Sequence, residues 1–234
     1  MSSKTLLTRL ASVCLVPILA GFSADSPPPG QNAPPRNQQP SSLQVVILLD
    51  INPNQHKVFS LESDLATGVL DHLDQRDAAV SLITFGSGNP ALQSSDAKPR
   101  EAIVAIKSVN LEQSGERYFS IYLYKAMDLA LSQFTDDARP KSLLIIAEGR
   151  EDFGREAFKQ IVSKARQLRV NCYVALVASH SLRGSKSILM YGFYLSDLAS
   201  KTHGRSIEVG DRRKKLPQFV ERFSTDILNQ DHNQ

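Results

Sequence analysis

Apolar runs of strand length alternate with longer segments of helical period through most of the chain. The runs "LQVVILLD" (43–50), "AAVSLITF" (78–85), "SLLIIAE" (142–148) and "CYVALVA" (172–178) are nearly continuous and rich in β-branched residues. Strands covered on both faces read this way, whereas a sheet with one wet face would alternate apolar with polar. Between the first two runs, Val58, Leu61, Leu65, Val69 and Leu73 recur every three or four residues, which predicts a helix over about 55–74. A second stripe, Ile121, Tyr124, Met127, Leu131 and Phe134, predicts a helix over 120–134. Further helices are expected at 99–108, 154–168, 192–202 and 216–229, with a short strand "RSIEV" at 205–209 after the stop at Gly204. Only the polar stretch 87–99, opened by "GSGNP", has no clear period, with at most a short edge strand near Ala91 and Leu92. The alternation implies an α/β fold: a doubly wound, mainly parallel sheet with helices on both faces, which takes ligands outside the carboxyl ends of its strands.

This pattern begins at residue 43, and what precedes it is of a different kind. Lys4 and Arg9 lead into "LASVCLVPILAGFSA", a basic start, a short apolar stretch and a small-residue exit, as in an export signal cut after Ala24. The apolar part falls short of the ~20 residues of a spanning helix, so no membrane span is expected in the mature chain. Residues 25–42, "DSPPPGQNAPPRNQQPSS", lack apolar bulk and are expected to be a disordered, Pro-rich linker. The organisation read from this is a signal peptide at 1–24, the linker, one domain over 43–230 and a tail at 231–234. The expected location is secreted or periplasmic.

Charge changes the picture little. The 234-residue chain has 27 Lys and Arg against 24 Asp and Glu, and loss of Lys4 and Arg9 takes the net charge from +3 to +1. Nothing there selects nucleic acid as a partner. Cys14 would leave with the signal, and Cys172 in "NCYVALV" has no base nearby in sequence, so it reads as a buried strand residue. The five histidines form no i, i+4 pair and no HExxH, and no G-x-S-x-G elbow occurs.

The residues placed to do chemistry are at strand ends. Asp50 leaves the first strand and Glu148 the strand at 142–148; if those strands are neighbours, both carboxylates reach one crevice, joined by Asn52 and Asn54. Carboxylates with amide and hydroxyl oxygens form a hard donor set for Mg²⁺, Mn²⁺ or Ca²⁺; zinc would call for His or Cys. "DINPN" is also good turn and helix-cap sequence, favourable with no metal at all.

The element order, with "VVILLDINPN", "DAAVSLITFGS", "LYKAMDLAL", "KSLLIIAEGRED" and "LASKTHGRSIEV", resembles the von Willebrand factor A (VWFA) domain family, including its secreted bacterial members, over essentially all of 43–230. In that family a D-x-S-x-S motif, a Thr before an L-Y-D-A-like helix start and an Asp in a "TDG" turn form a metal-ion-dependent adhesion site. The resemblance implies that Asp50 matches the motif's Asp, that Asn52 and Asn54 stand at its Ser positions, and that Glu148 stands at the "TDG" Asp. "LYKA" at 123–126 puts Ile121, which cannot ligate, at the Thr position, so that Ser120 beside it is the candidate hydroxyl. The implied metal set is therefore Asp50, Asn52, Asn54, Ser120 and Glu148, a degenerate site. Asn for Ser and Glu for Asp each push a donor oxygen inward by about one bond, crowding a cavity suited to an octahedral ion near ~2.1 Å. Weaker binding, preference for larger Ca²⁺, and no metal at all stay open. The implied function is protein binding or scaffolding by adhesion at the carboxyl edge of the sheet, without catalysis. The competing reading is a metal-assisted hydrolase or phosphoryl-transfer enzyme, which needs a Lys or His beside Asp50.

Overall fold

The computed structural model describes residues 43–51, 56–86, 89–111, 122–148, 154–177, 186–210 and 213–230. Among these residues six strands form one sheet: β1 (Leu43–Asp50), β2 (Ala78–Phe85), β3 (Ala91–Ala97), β4 (Lys141–Ala147), β5 (Val170–Leu176) and β6 (Ser206–Glu208). Their spatial order is β3-β2-β1-β4-β5-β6, with every pairing parallel except β2 with β3. The helices are α1 (His56–Leu73), α2 (Pro99–Ser108), α3 (Tyr122–Leu131), α4 (Arg155–Gln167), α5 (Lys186–Lys201) and α6 (Leu216–Leu228).

Every residue of β1, β2 and β4 is buried, which explains their unbroken apolar sequences. Successive side chains go to opposite faces. Val45, Ile47 and Leu49 join one core with Leu65 and Val69 of α1, Ile106 of α2 and Phe223 of α6. Val46 and Leu48 join the other with Met127 of α3, Ile161 of α4 and Leu198 of α5. Gly68 lets α1 and α6 approach closely, since a Cβ there would lie 2.7 Å from Val220 Cγ2.

The differences from the sequence reading have local causes. The polar stretch at 87–99 holds a seven-residue antiparallel edge strand, β3, which is mostly exposed and irregular in register against β2. An edge strand with little buried surface has no apolar period to read; β3 is tied instead by polar contacts, Gln93 Nε2 donating to Thr84 Oγ1 (2.8 Å) and the Asp96 N–H to Ser81 Oγ (3.3 Å). Helix α5 starts at Lys186, six residues before the predicted 192. Gly192 lies inside the helix, where a Cβ would come within 3.3 Å of Leu176 Cδ1. β4 starts one residue early because Lys141 is buried, its ammonium donating to the Asp137 carbonyl at 2.6 Å.

Cys172 is fully buried in β5, and its backbone N–H donates to Thr202 Oγ1 at 3.2 Å. Burial pushes its thiol up to about 12, outweighing the Thr202 hydrogen bond. The native protein is therefore expected to resist a thiol reagent at pH 8 and to react fully in denaturant. Rapid native labelling would show that β5 opens far more readily than this packing allows.

Candidate functional site

The chain leaves β1 for β2 and β3 on one side of the sheet, then returns to the other side for β4, β5 and β6. The carboxyl ends of β1 and β4 are thus the topological switch point, where an open α/β sheet forms its ligand crevice. These strands are parallel neighbours, with Leu49 opposite Ile146. Asp50 ends β1 and Glu148 follows Ala147 at the end of β4, so the condition set by the sequence is met.

Both residues are buried, Asp50 completely and Glu148 to 1% exposure. The Glu148 backbone N–H donates to Asp50 Oδ2 at 3.4 Å, a long bond that ties the two strand ends together. On one side, the Ile51 N–H donates to the Phe85 carbonyl at 2.7 Å; on the other, the Val177 N–H donates to the Ala147 carbonyl at 2.9 Å. These bonds continue the sheet ladder past the carboxylates and fix where each loop departs. Gly86, with φ of 123°, turns the chain immediately after β2, a conformation that side chains other than glycine rarely adopt. Its importance is visible in sequence only as the first break in "GSGNP".

Asn52, Asn54, Ser120 and Ile121 lie outside the described residues. Helix α3, which follows them in sequence, packs over β1 and β2: Leu123, Ala126 and Met127 share a core with Leu48, Ile83 and Phe85. Among the described residues, no three His, Cys, Asp or Glu side chains group as a metal cluster. Chemically, the described part of the site is two buried carboxylates at the ends of adjacent strands, with the Glu148 backbone N–H on Asp50. Removing such groups from water is costly unless positive charge and hydrogen bonds compensate, and oxygen-only donors suit a hard cation. The residue types present therefore fit the proposed ion class.

This sheet order, with α1, α2 and α6 on one face and α3, α4 and α5 on the other, is a Rossmann-like fold of the von Willebrand A type. Solved structures of similar fold include an aerotolerance-related membrane protein from Bacteroides fragilis carrying multiple mutations to serine (TM-score 0.61, 14% identity, 80% of this chain and 98% of that one). The conserved hypothetical protein BatB from Bacteroides thetaiotaomicron is also similar (0.58, 16%, 78% and 99%), as is the VWA domain of SpRpn10 (0.55, 11%, 78% and 95%). At these identities the likeness is one of fold. No family model and no curated protein sequence matches the chain. Among the described residues, no helix is long and apolar enough to cross a membrane.

Proposed function

We propose that the protein is an exported interaction module that docks a protein partner at the carboxyl edge of β1 and β4, through a divalent cation held by Asp50 and Glu148 with Asn52, Asn54 and Ser120. The observation that carries this reading is that two buried carboxylates stand at adjacent strand ends, at the switch point of a fold of this type. When bound, the cation would supply an electrophilic coordination position for an acidic side chain of the partner. The chain's own residues hold that position on two rigid strand ends, so little ordering entropy is lost on docking. The sequence at 1–24 supports export to the periplasm or beyond, and 25–42 would then tether the domain. A membrane protein among the structures of similar fold agrees with an envelope setting. No observation among the described residues favours the hydrolase or phosphoryl-transfer reading.

Isothermal titration of residues 43–234 with Mg²⁺, Mn²⁺ and Ca²⁺ tests the cation directly. Saturable binding of at least one ion is expected, with Ca²⁺ preferred if the longer Asn and Glu side chains set the cavity size. No heat with any of the three at millimolar concentration would eliminate the cation-bridged mechanism and leave a metal-free docking surface.

A further inference from the structure

Positive charge is concentrated in one part of the fold. The chain beyond residue 24 is nearly neutral, yet residues 155–201, which span α4, β5 and α5, carry eight Lys and Arg against two Asp and Glu. Both helices pack on the same face of the sheet, α4 through Phe158, Ile161 and Ala165 and α5 through Leu195, Leu198 and Ala199. They also touch each other: the Phe158 ring centroid lies 5.1 Å from that of Tyr194, and Lys201 Nζ stands 5.5 Å from the Phe158 centroid. Side by side in one layer over the sheet, they present a broad outer face.

Two features of that face stand out. Between the helices runs an open groove of about 560 Å³, with the buried Phe158 and Val162 as its floor and Lys159, Arg166 and Lys201 among the exposed residues of its rim. Lys159 and Lys201 also pair with Glu156 (2.8 Å) and Asp197 (2.6 Å), but exposed pairs of this kind contribute little and exchange readily for another anion. Beside the groove is Phe193. The buried positions Leu195, Leu198 and Ala199 set the inner side of α5, and the helical period puts Phe193 on the opposite side, where it is 66% exposed. Its ring meets that of Tyr194 edge to face, with 6.2 Å between centroids, and most of its surface faces water.

Cations spread over two helices around one protruding aromatic ring are complementary to a surface that is anionic, laterally extended and soft. A protein partner would need a pocket shaped to Phe193 and a carboxylate placed at each cation. A bilayer interface offers phosphates throughout and takes up aromatic rings at headgroup level, with no matching of shape. We propose that the outer face of α4 and α5 lies on the surface of a bilayer containing anionic phospholipid, with Phe193 in the interface and Lys159, Arg166 and Lys201 against headgroup phosphates. Attachment of this kind is peripheral and weakens with salt. The face is a flank of the sheet and not its carboxyl edge, so it is independent of the cation-bridged reading and leaves that edge open.

The test is sedimentation of residues 25–234 with vesicles of phosphatidylglycerol and phosphatidylcholine in equal parts, against vesicles of phosphatidylcholine alone; the apolar run within 1–24 is left off because it would enter lipid by itself. Salt-sensitive binding to the anionic vesicles is expected, and little to the neutral ones. Phe193→Ser should weaken it about tenfold, and Lys159→Gln/Arg166→Gln/Lys201→Gln by about fivefold per cation. All four positions are exposed, so both variants should melt close to the wild type. The chain has no tryptophan, so the emission of a Phe193→Trp variant reports that position alone and should shift to the blue on anionic vesicles. No sedimentation with anionic vesicles, equal sedimentation with neutral ones, undiminished binding by either variant, or unshifted emission would each overturn the proposal. So would equal affinity for soluble polyglutamate, which would assign the face to an acidic protein.

Discussion

Replacing Gly204 with alanine is expected to lower stability by about 3–5 kcal/mol, at the upper end of what single substitutions do. At roughly 2–4 °C per kcal/mol for a domain of this size, the midpoint of thermal unfolding should fall by about 6–20 °C. The cause is a close backbone approach. A Cβ at Gly204 would stand 1.9 Å from the Cys172 carbonyl oxygen and 2.5 Å from its carbonyl carbon. Cys172 cannot retreat, because β5 is paired with β4 opposite Leu143 and its N–H is bonded to Thr202. The strain must therefore move the connection from α5 to β6, which carries the 2.9 Å bond from the Gly204 N–H to Ala199 and the 2.8 Å bond from the Val174 N–H to Arg205. Gly154→Ala is the control: nothing lies within 4 Å of a Cβ there, and only an N-cap preference of about 1 kcal/mol is at stake. Chemical denaturation of both variants decides the matter. A loss at Gly204 no greater than that at Gly154 would mean that the α5–β6 connection yields freely.

Why the sequence revealed the sheet so well and the site only in part follows from what each depends on. β1, β2 and β4 bury both faces, so each position along Val45–Leu49 or Leu143–Ala147 must be apolar, and the requirement is written into consecutive residues. β3 buries little and is held by Gln93, Asp96 and a shared register with β2, interactions between residues distant in sequence that leave no local period. Asp50 and Glu148 were legible because a carboxylate ending an apolar run is conspicuous, and because the switch point can be reasoned from element order. The outer face of α4 and α5 was not. Its cations are ordinary solvated positions in their own helices, and a chain of nearly balanced charge hides their concentration in the total. In "GFYLSDL" aromatic and aliphatic residues stand on both sides of the helix, so which ring points away from the sheet is set by packing and not by a polar stripe.

On the proposed cation-bridged reading, Asp50→Asn should abolish the stabilisation that divalent ions give the wild-type domain. A ligand present at about 100 times its dissociation constant stabilises the native state by about 2.7 kcal/mol, or roughly 5–10 °C in melting midpoint for a chain of this length. The substitution is chosen for what it preserves. Asparagine keeps an oxygen that can accept the Glu148 N–H, so the tie between β1 and β4 remains, while a buried carboxyl group is replaced by an amide. With the ion added, only the wild type should rise. An equal rise in both would place the ion elsewhere, on the surface or on residues that do not include Asp50. A wild type that gains nothing while Asp50→Asn melts higher would identify the carboxylate as a source of instability kept for metal-free contact with a partner. The docking edge and the cost of holding it would then both lie in the single residue that ends β1.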